Sequence, residues 1–190
     1  MRIIGLTGLC CSGKDTIANY ISDVYGYKHY SLSDVIRNFF YKDININEFT
    51  RSNLAGFGVS LRKKYGNNVL VKYVLKEINT FTYINKYCIS SIRHTAEVKE
   101  LRHIRNFILV NVVAPVYVRF LRMKRRCRFG DPTNILDFIK LEQQENSKQF
   151  KKSIQQMSET AKMAEITIMN DTEDLVQLHL KVNNVLNQVL

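Results

Sequence analysis

Proline occurs only twice and glycine eight times in this chain of 190 residues. That scarcity excludes collagen-like repeats, low-complexity disorder and a long flexible linker. Long apolar runs are also missing. The longest, "FILVNVVAPVYV" from Phe107 to Val118, is interrupted by Asn111 and Pro115 and falls short of the ~20 residues a membrane-spanning helix needs. The opening "MRIIGLTG" lacks the apolar core and small-residue cleavage site of a secretory signal, and because a glycine-rich loop follows at once a mitochondrial presequence is not expected. The four cysteines, Cys10, Cys11, Cys88 and Cys127, form neither a CxxC pair nor a disulfide framework. Reduced thiols in a reducing, cytoplasmic compartment are therefore expected, and the adjacent Cys10 and Cys11 do not bridge each other comfortably. Acidic residues are few: 17 against 28 lysines and arginines, a net charge of +11. That balance suits an anionic partner (a nucleotide, a coenzyme or a nucleic acid) without choosing among them.

Short apolar runs alternate with helical periodicity, which predicts an α/β fold with a parallel sheet of about five strands. Strands are expected at "RIIGLT", "YKHYSL", "YCISSI", "FILVNVV" and "AEITIMN". Helices are expected from Lys14 to Tyr25, with Ile17, Ile21 and Val24 on one face, and in "SDVIRNFFY", "SNLAGFGVSLRKKYG", "NVLVKYVLKEI" and "HTAEVKELR". A basic helix runs from Val116 to Cys127. Asp131 and Pro132 read as N-cap and first residue of the next helix, and Thr172 as the cap of a last one carrying Leu175, Leu178, Val182, Val185 and Val189 inward.

The segment "GLTGLCCSGKDT" contains Gly8, Gly13 and Lys14 in G-x-x-x-x-G-K spacing, between a strand and a helix. Glycines let backbone amides of Gly8, Leu9, Cys10, Cys11, Ser12 and Gly13 close on an anion, the helix end adds partial positive charge, and Lys14 pairs with the β- and γ-phosphates. ATP is the expected ligand. Asp15 stands where the loop normally carries the serine or threonine that meets Mg²⁺, and Thr16 offers a hydroxyl one residue later.

This K-x-T form resembles nucleoside monophosphate kinases, and K-D-T resembles those of phages acting on deoxynucleotides. In "SLSDVIR", Asp34 and Arg37 match the D-x-x-R of adenylate kinases, whose arginine holds the acceptor phosphate; a guanidinium fork suits that task. "SSIRHTAEVKELR" is similar to the I-D-G-I-R-x-x-A-E-V segment of an archaeal P-loop family related to dephospho-coenzyme A kinase, and to the kinase-like N-terminal domain of some fungal deoxycytidylate deaminases. "LRKKYG", "APVYVRFLRMKRRCRFGDP" and "MAEITIMNDTEDL" extend the resemblance over nearly the whole chain.

The resemblance implies one P-loop kinase domain over 1–190: a core of 1–32, 81–118 and 135–190, an acceptor-binding insert at 33–80 and a lid at 119–134. It assigns ATP to the loop, Asp15, Thr16 and Arg122, the acceptor to Asp34, Arg37 and Arg93, and catalysis to Lys14, Arg93, Arg122 and Arg126. It implies ATP- and Mg²⁺-dependent phosphorylation of a nucleoside or deoxynucleoside monophosphate. Dephospho-coenzyme A kinase activity is the neighbouring alternative, but its hydroxyl acceptor needs a general base; His94 and His103 read as solvated or core histidines. The non-enzymatic alternative is a degenerate nucleotide-binding module, associated with nucleic acid through "RFLRMKRRCR". Ser90 stands where the family has its Walker-B aspartate, leaving Asp15 and Thr16 as the metal-side residues. On this view, restoring the carboxylate by Ser90→Asp raises turnover.

Overall fold

Three apolar runs form the buried middle of a sheet, and two shorter, partly exposed strands flank them. The five are β1 (Arg2–Thr7), β2 (Lys28–Ser31), β3 (Lys86–Ile92), β4 (Asn106–Val113) and β5 (Ile166–Met169). All pairings are parallel, in the order β2-β3-β1-β4-β5, so β1 lies at the centre. The computed structural model describes residues 1–43, 51–80, 83–128, 130–144 and 151–189. Parts of the expected insert (44–50), lid (Phe129) and core (81–82, 145–150 and 190) lie outside these.

The connections are helical: α1 (Lys14–Tyr25), α2 (Leu32–Asp43), α3 (Arg51–Tyr65), α4 (Val69–Ile78), α5 (Thr95–Leu101), α6 (Val116–Arg126), α7 (Ile135–Gln144), α8 (Lys151–Lys162) and α9 (Leu175–Val189). Strand alternation sends Ile3, Ile89 and Leu109 to one side, where they meet Val71, Val74, Val98 and Leu101. Ile4, Leu6, Val110 and Val112 face the other side, against Ile17 and Ile21 of α1 and Leu178, Val182 and Leu186 of α9. The result is a three-layer α/β sandwich, as expected, with the C-terminal strand ends opening on one edge. Among the described residues, no helix is long and apolar enough to cross a membrane.

Four local expectations are corrected. Val24 is exposed, and Tyr27 with Tyr25 closes that end of the core instead. Asp131 does not cap α7, because its carboxylate is taken by the guanidinium of Arg126; Asn134 Oδ1 accepts the Asp137 amide at 2.9 Å and caps that helix. Thr172 does not cap α9, since Asp174 Oδ1 accepts the Val176 amide at 2.8 Å. Leu175, at the start of α9, is 55% exposed and lines a cavity, while Leu186 joins the core; the Val189 side chain lies outside the described set. Helix α8 has no counterpart among the expected elements.

One strand carries a distortion that matters for the site. Gly5 pairs with Ile89 and Thr7 with Ile92, so β3 has one extra residue against β1. The bulge falls at Ser90 and Ser91, and Ser91 takes a left-handed φ of 65°. In the segment this chain resembles, that position is the glycine of I-D-G-I-R, which adopts such a φ without strain.

Candidate functional site

β1 ends at Thr7 in the middle of the sheet, and the loop to α1 must reverse within six residues. Gly8 (φ 137°) and Gly13 (φ 96°) supply backbone that other residues rarely adopt, and Cys11 follows at φ 59°. Space imposes the same choice. A Cβ on Gly8 would lie 2.2 Å from Val112 O, and one on Gly13 2.2 Å from Asn170 Nδ2. Asn170 is buried and donates to Ser12 O at 2.8 Å, while its own amide bonds Val113 O at 2.7 Å. The loop is thereby fastened to the ends of β4 and β5.

Lys14 is buried. Its Nζ donates to Gly8 O at 2.9 Å, Leu9 O at 2.7 Å and, more loosely, Ser12 Oγ at 3.4 Å. Burial pulls its pKa from the ordinary 10.5 to about 8, and repulsion from Arg93 adds to the effect. An anion in the loop would favour the charged ammonium and so offset both influences.

Beside the loop lies a cavity of about 320 Å³, lined by Gly13, Lys14, Asp15, Thr16, Arg122, Arg126 and the segment after β5. Arg122 is held along that segment, donating to Thr172 O at 2.7 Å and Asn170 Oδ1 at 3.0 Å, with Glu173 3.4 Å from its Nε. Arg126 forms a fork with Asp131, both bonds 2.9 Å, and points its third nitrogen at Cys10 Sγ at 3.7 Å. Arg119, by contrast, is buried against Glu142 and donates to Ala114 O at 3.1 Å. It anchors α6 and does not line the cavity.

Asp34 and Arg37 pair with each other on α2 and do not line this cavity, and neither does Arg93. Arg93 lies near enough to repel the Lys14 ammonium. Of the expected residues, the loop, Arg122 and Arg126 line the cavity, Arg93 lies within electrostatic reach of Lys14, and Arg37 pairs with Asp34 on α2.

Two residues escaped sequence reasoning. Glu97 is fully buried and accepts from the guanidinium of Arg62 at 2.7 Å and from the Arg93 and His94 amides at 2.8 and 3.0 Å. It ties "LRKKYG" to the turn that presents Arg93, and its position three residues after the cap His94 was the available signal. His94 serves as that cap and His103 is exposed, in keeping with their expected structural roles. The other residue is His29, on β2. Its Nε2 lies 2.9 Å from Ser90 Oγ, which donates to Asp15 Oδ1 at 3.1 Å. Burial lowers the His29 pKa, outweighing the pull of Asp15 and Asp34. Only the register that sets β2 beside β3 reveals it.

The parallel sheet, the strand–loop–helix at its centre and the arginines above it define a protein of P-loop kinase fold. A shikimate kinase from Bacteroides thetaiotaomicron superposes with a TM-score of 0.60 at 16% identity, covering 98% of this chain and 97% of that one. No protein-family model matches the chain. A UPF0200 protein of Thermococcus onnurineus is 31% identical over 140 residues, 72% of this chain and 74% of its own length, and one of Saccharolobus islandicus is 28% identical over 174 residues, 90% and 86%. The chain belongs to the UPF0200 family.

Proposed function

We propose that this protein transfers the γ-phosphoryl group of ATP to the phosphate of a small acceptor, a nucleoside or deoxynucleoside monophosphate. The observation that carries this reading is Lys14, a buried cation on a glycine-bounded loop whose neighbouring cavity is lined by three further cations, Arg122, Arg126 and Arg128. Such a site suits a polyphosphate. In the transfer, an acceptor phosphate oxygen bonds to Pγ as the bridging bond to the β-phosphate breaks, giving ADP and a nucleoside diphosphate. Lys14 leaves the loop carbonyls for the phosphates. Arg126 closes on the charge that develops at Pγ, and Arg37 and Arg93 hold the acceptor's phosphate. The acceptor is already ionised, so no general base is needed. Segment 33–80 then acts as the acceptor-binding insert and 119–134 as the lid.

The oxygen donors beside the loop, the Asp15 carboxylate and the Thr16 hydroxyl, fit Mg²⁺, which accepts one carboxylate together with phosphate oxygens and water. When bound, the ion neutralises charge on the β- and γ-phosphates.

A nucleic-acid role for α6 finds little support, because Arg119, Arg122, Arg125 and Arg126 all pair with carboxylates of the chain itself. A nucleotide-binding module without transfer is favoured by one observation, Ser90 in place of a carboxylate. The deciding experiment is an ATP-consumption screen over ribo- and deoxynucleoside monophosphates and dephospho-coenzyme A, with and without Mg²⁺. Turnover with one or a few monophosphates supports the proposal. Turnover with dephospho-coenzyme A alone, or ATP binding without any turnover, overturns it.

A further inference from the structure

The two departures from the family pattern touch each other. The usual arrangement has a hydroxyl on the loop after the lysine and a carboxylate at the end of the third strand. Here the loop carries the carboxylate, Asp15, and the strand carries the hydroxyl, Ser90, and the two are hydrogen-bonded at 3.1 Å. The same pair of groups is present with its members exchanged.

The hydrogen-bond directions are fixed by counting protons. Ser90 has one hydroxyl hydrogen and gives it to Asp15, so its oxygen must accept from His29, whose Nε2 therefore carries a hydrogen. The chain runs from imidazole N–H to hydroxyl to carboxylate, each bond polarising the next. Ser90 is completely buried, and the bulge it shares with Ser91 forms part of the same strand end. Asp15 is exposed in the first turn of α1 and lines the cavity beside Lys14.

We infer that Asp15 is the metal-side carboxylate of this nucleotide site, exchanged with Ser90, and that His29 is a positioning residue that holds it through the Ser90 hydroxyl. The inference rests on the reading of the site as one for ATP with Mg²⁺, but not on any acceptor. It also reverses the expectation for Ser90→Asp. That substitution alone sets a second carboxylate against Asp15 in a buried place, where two like charges oppose each other.

The test measures ATP affinity by calorimetry with Mg²⁺ and with EDTA. The ratio of the two dissociation constants reports the metal's contribution without any turnover. Outer partners of metal ligands typically contribute about ten- to a hundredfold in metal affinity. The wild-type ratio is expected to fall by about that much in Asp15→Ser, in Ser90→Asp and in His29→Ala, with EDTA-state affinity retained in His29→Ala. The double variant Asp15→Ser/Ser90→Asp, which returns the pair to the family arrangement, is expected to recover the ratio. His29→Gln, whose amide can still donate to Ser90, should keep it. Adding His29→Ala to Asp15→Asn should cost nothing more, because His29 acts through Asp15.

A wild type whose ATP affinity ignores Mg²⁺ overturns the inference. So does a folded double variant no better than its single parents, or a His29→Ala effect that persists undiminished beside Asp15→Asn. Melting curves identify any variant that does not fold, and the His29 substitutions decide the matter if the double variant is one of them. A Mg²⁺-dependent affinity with no phosphorylated acceptor would sink the proposed transfer and leave this inference standing.

Discussion

Lys14 ties protonation to ligand binding. Its pKa of about 8 in the free protein, against 10.5 ordinarily, reflects burial and the nearby Arg93. Phosphate in the loop favours the charged form, so ATP binding should take up a proton near pH 8, and affinity should weaken as pH rises above it. Calorimetry in buffers of different ionisation enthalpy reads that proton directly; an enthalpy independent of buffer at pH 8.5 would refute it. Stability follows with a definite sign. Below pH 8 the buried cation exerts its full penalty. Between pH 8 and 10.5 the unfolded chain binds more protons than the folded one, so this group's contribution makes stability rise with pH. Ser91 makes a second residue-scale case. A side chain at a left-handed φ costs roughly 1–2 kcal/mol, and glycine's extra unfolded-state freedom returns about 0.5–1 of that. Ser91→Gly should therefore raise stability by about 0.5–1 kcal/mol in urea melts, and Ser91→Val should lower it.

At the scale of elements, the helix ends show where sequence reasoning stops. The existence of α1, α6, α7 and α9 was legible from periodicity, yet two caps were misplaced by a few residues. The cause is competition. Asp131 is a good capping residue by type, but a guanidinium on the preceding helix claims both its oxygens, and the cap passes to Asn134. Asn134→Ala should cost about 1 kcal/mol, typical for loss of a cap, with α7 fraying first in hydrogen exchange. Asp131→Ala should leave the α7 amides protected and instead free Arg126. Equal loss of protection in both variants would restore Asp131 to the cap. His29 was illegible for a different reason. Its importance is created by strand order, β2 beside β3, which no local pattern in "YKHYSL" contains. The loop residues were legible because spacing alone constrains them.

Across the whole molecule, separate clamps hold the elements around the loop. Asn170 clamps the loop to the ends of β4 and β5, Arg122 fastens α6 to the segment after β5, and Glu97 fastens α3 to the turn after β3. A ligand in the loop adds contacts to several of these elements at once, so its binding energy should appear as stability of the entire fold. At a ligand concentration of a hundred dissociation constants, that linkage amounts to about 2.7 kcal/mol. Each kcal/mol moves the melting point of a domain this size by roughly 2–4 °C, so saturating MgATP should raise it by several degrees in a single cooperative transition. Lys14→Ala should reduce the shift to a small fraction, while Arg37→Ala should leave it intact, since Arg37 is paired on α2 away from the cavity. An undiminished shift in Lys14→Ala would place the nucleotide elsewhere. An abolished shift in Arg37→Ala would put α2 on the ATP side of the site and undo the division of the arginines between donor and acceptor.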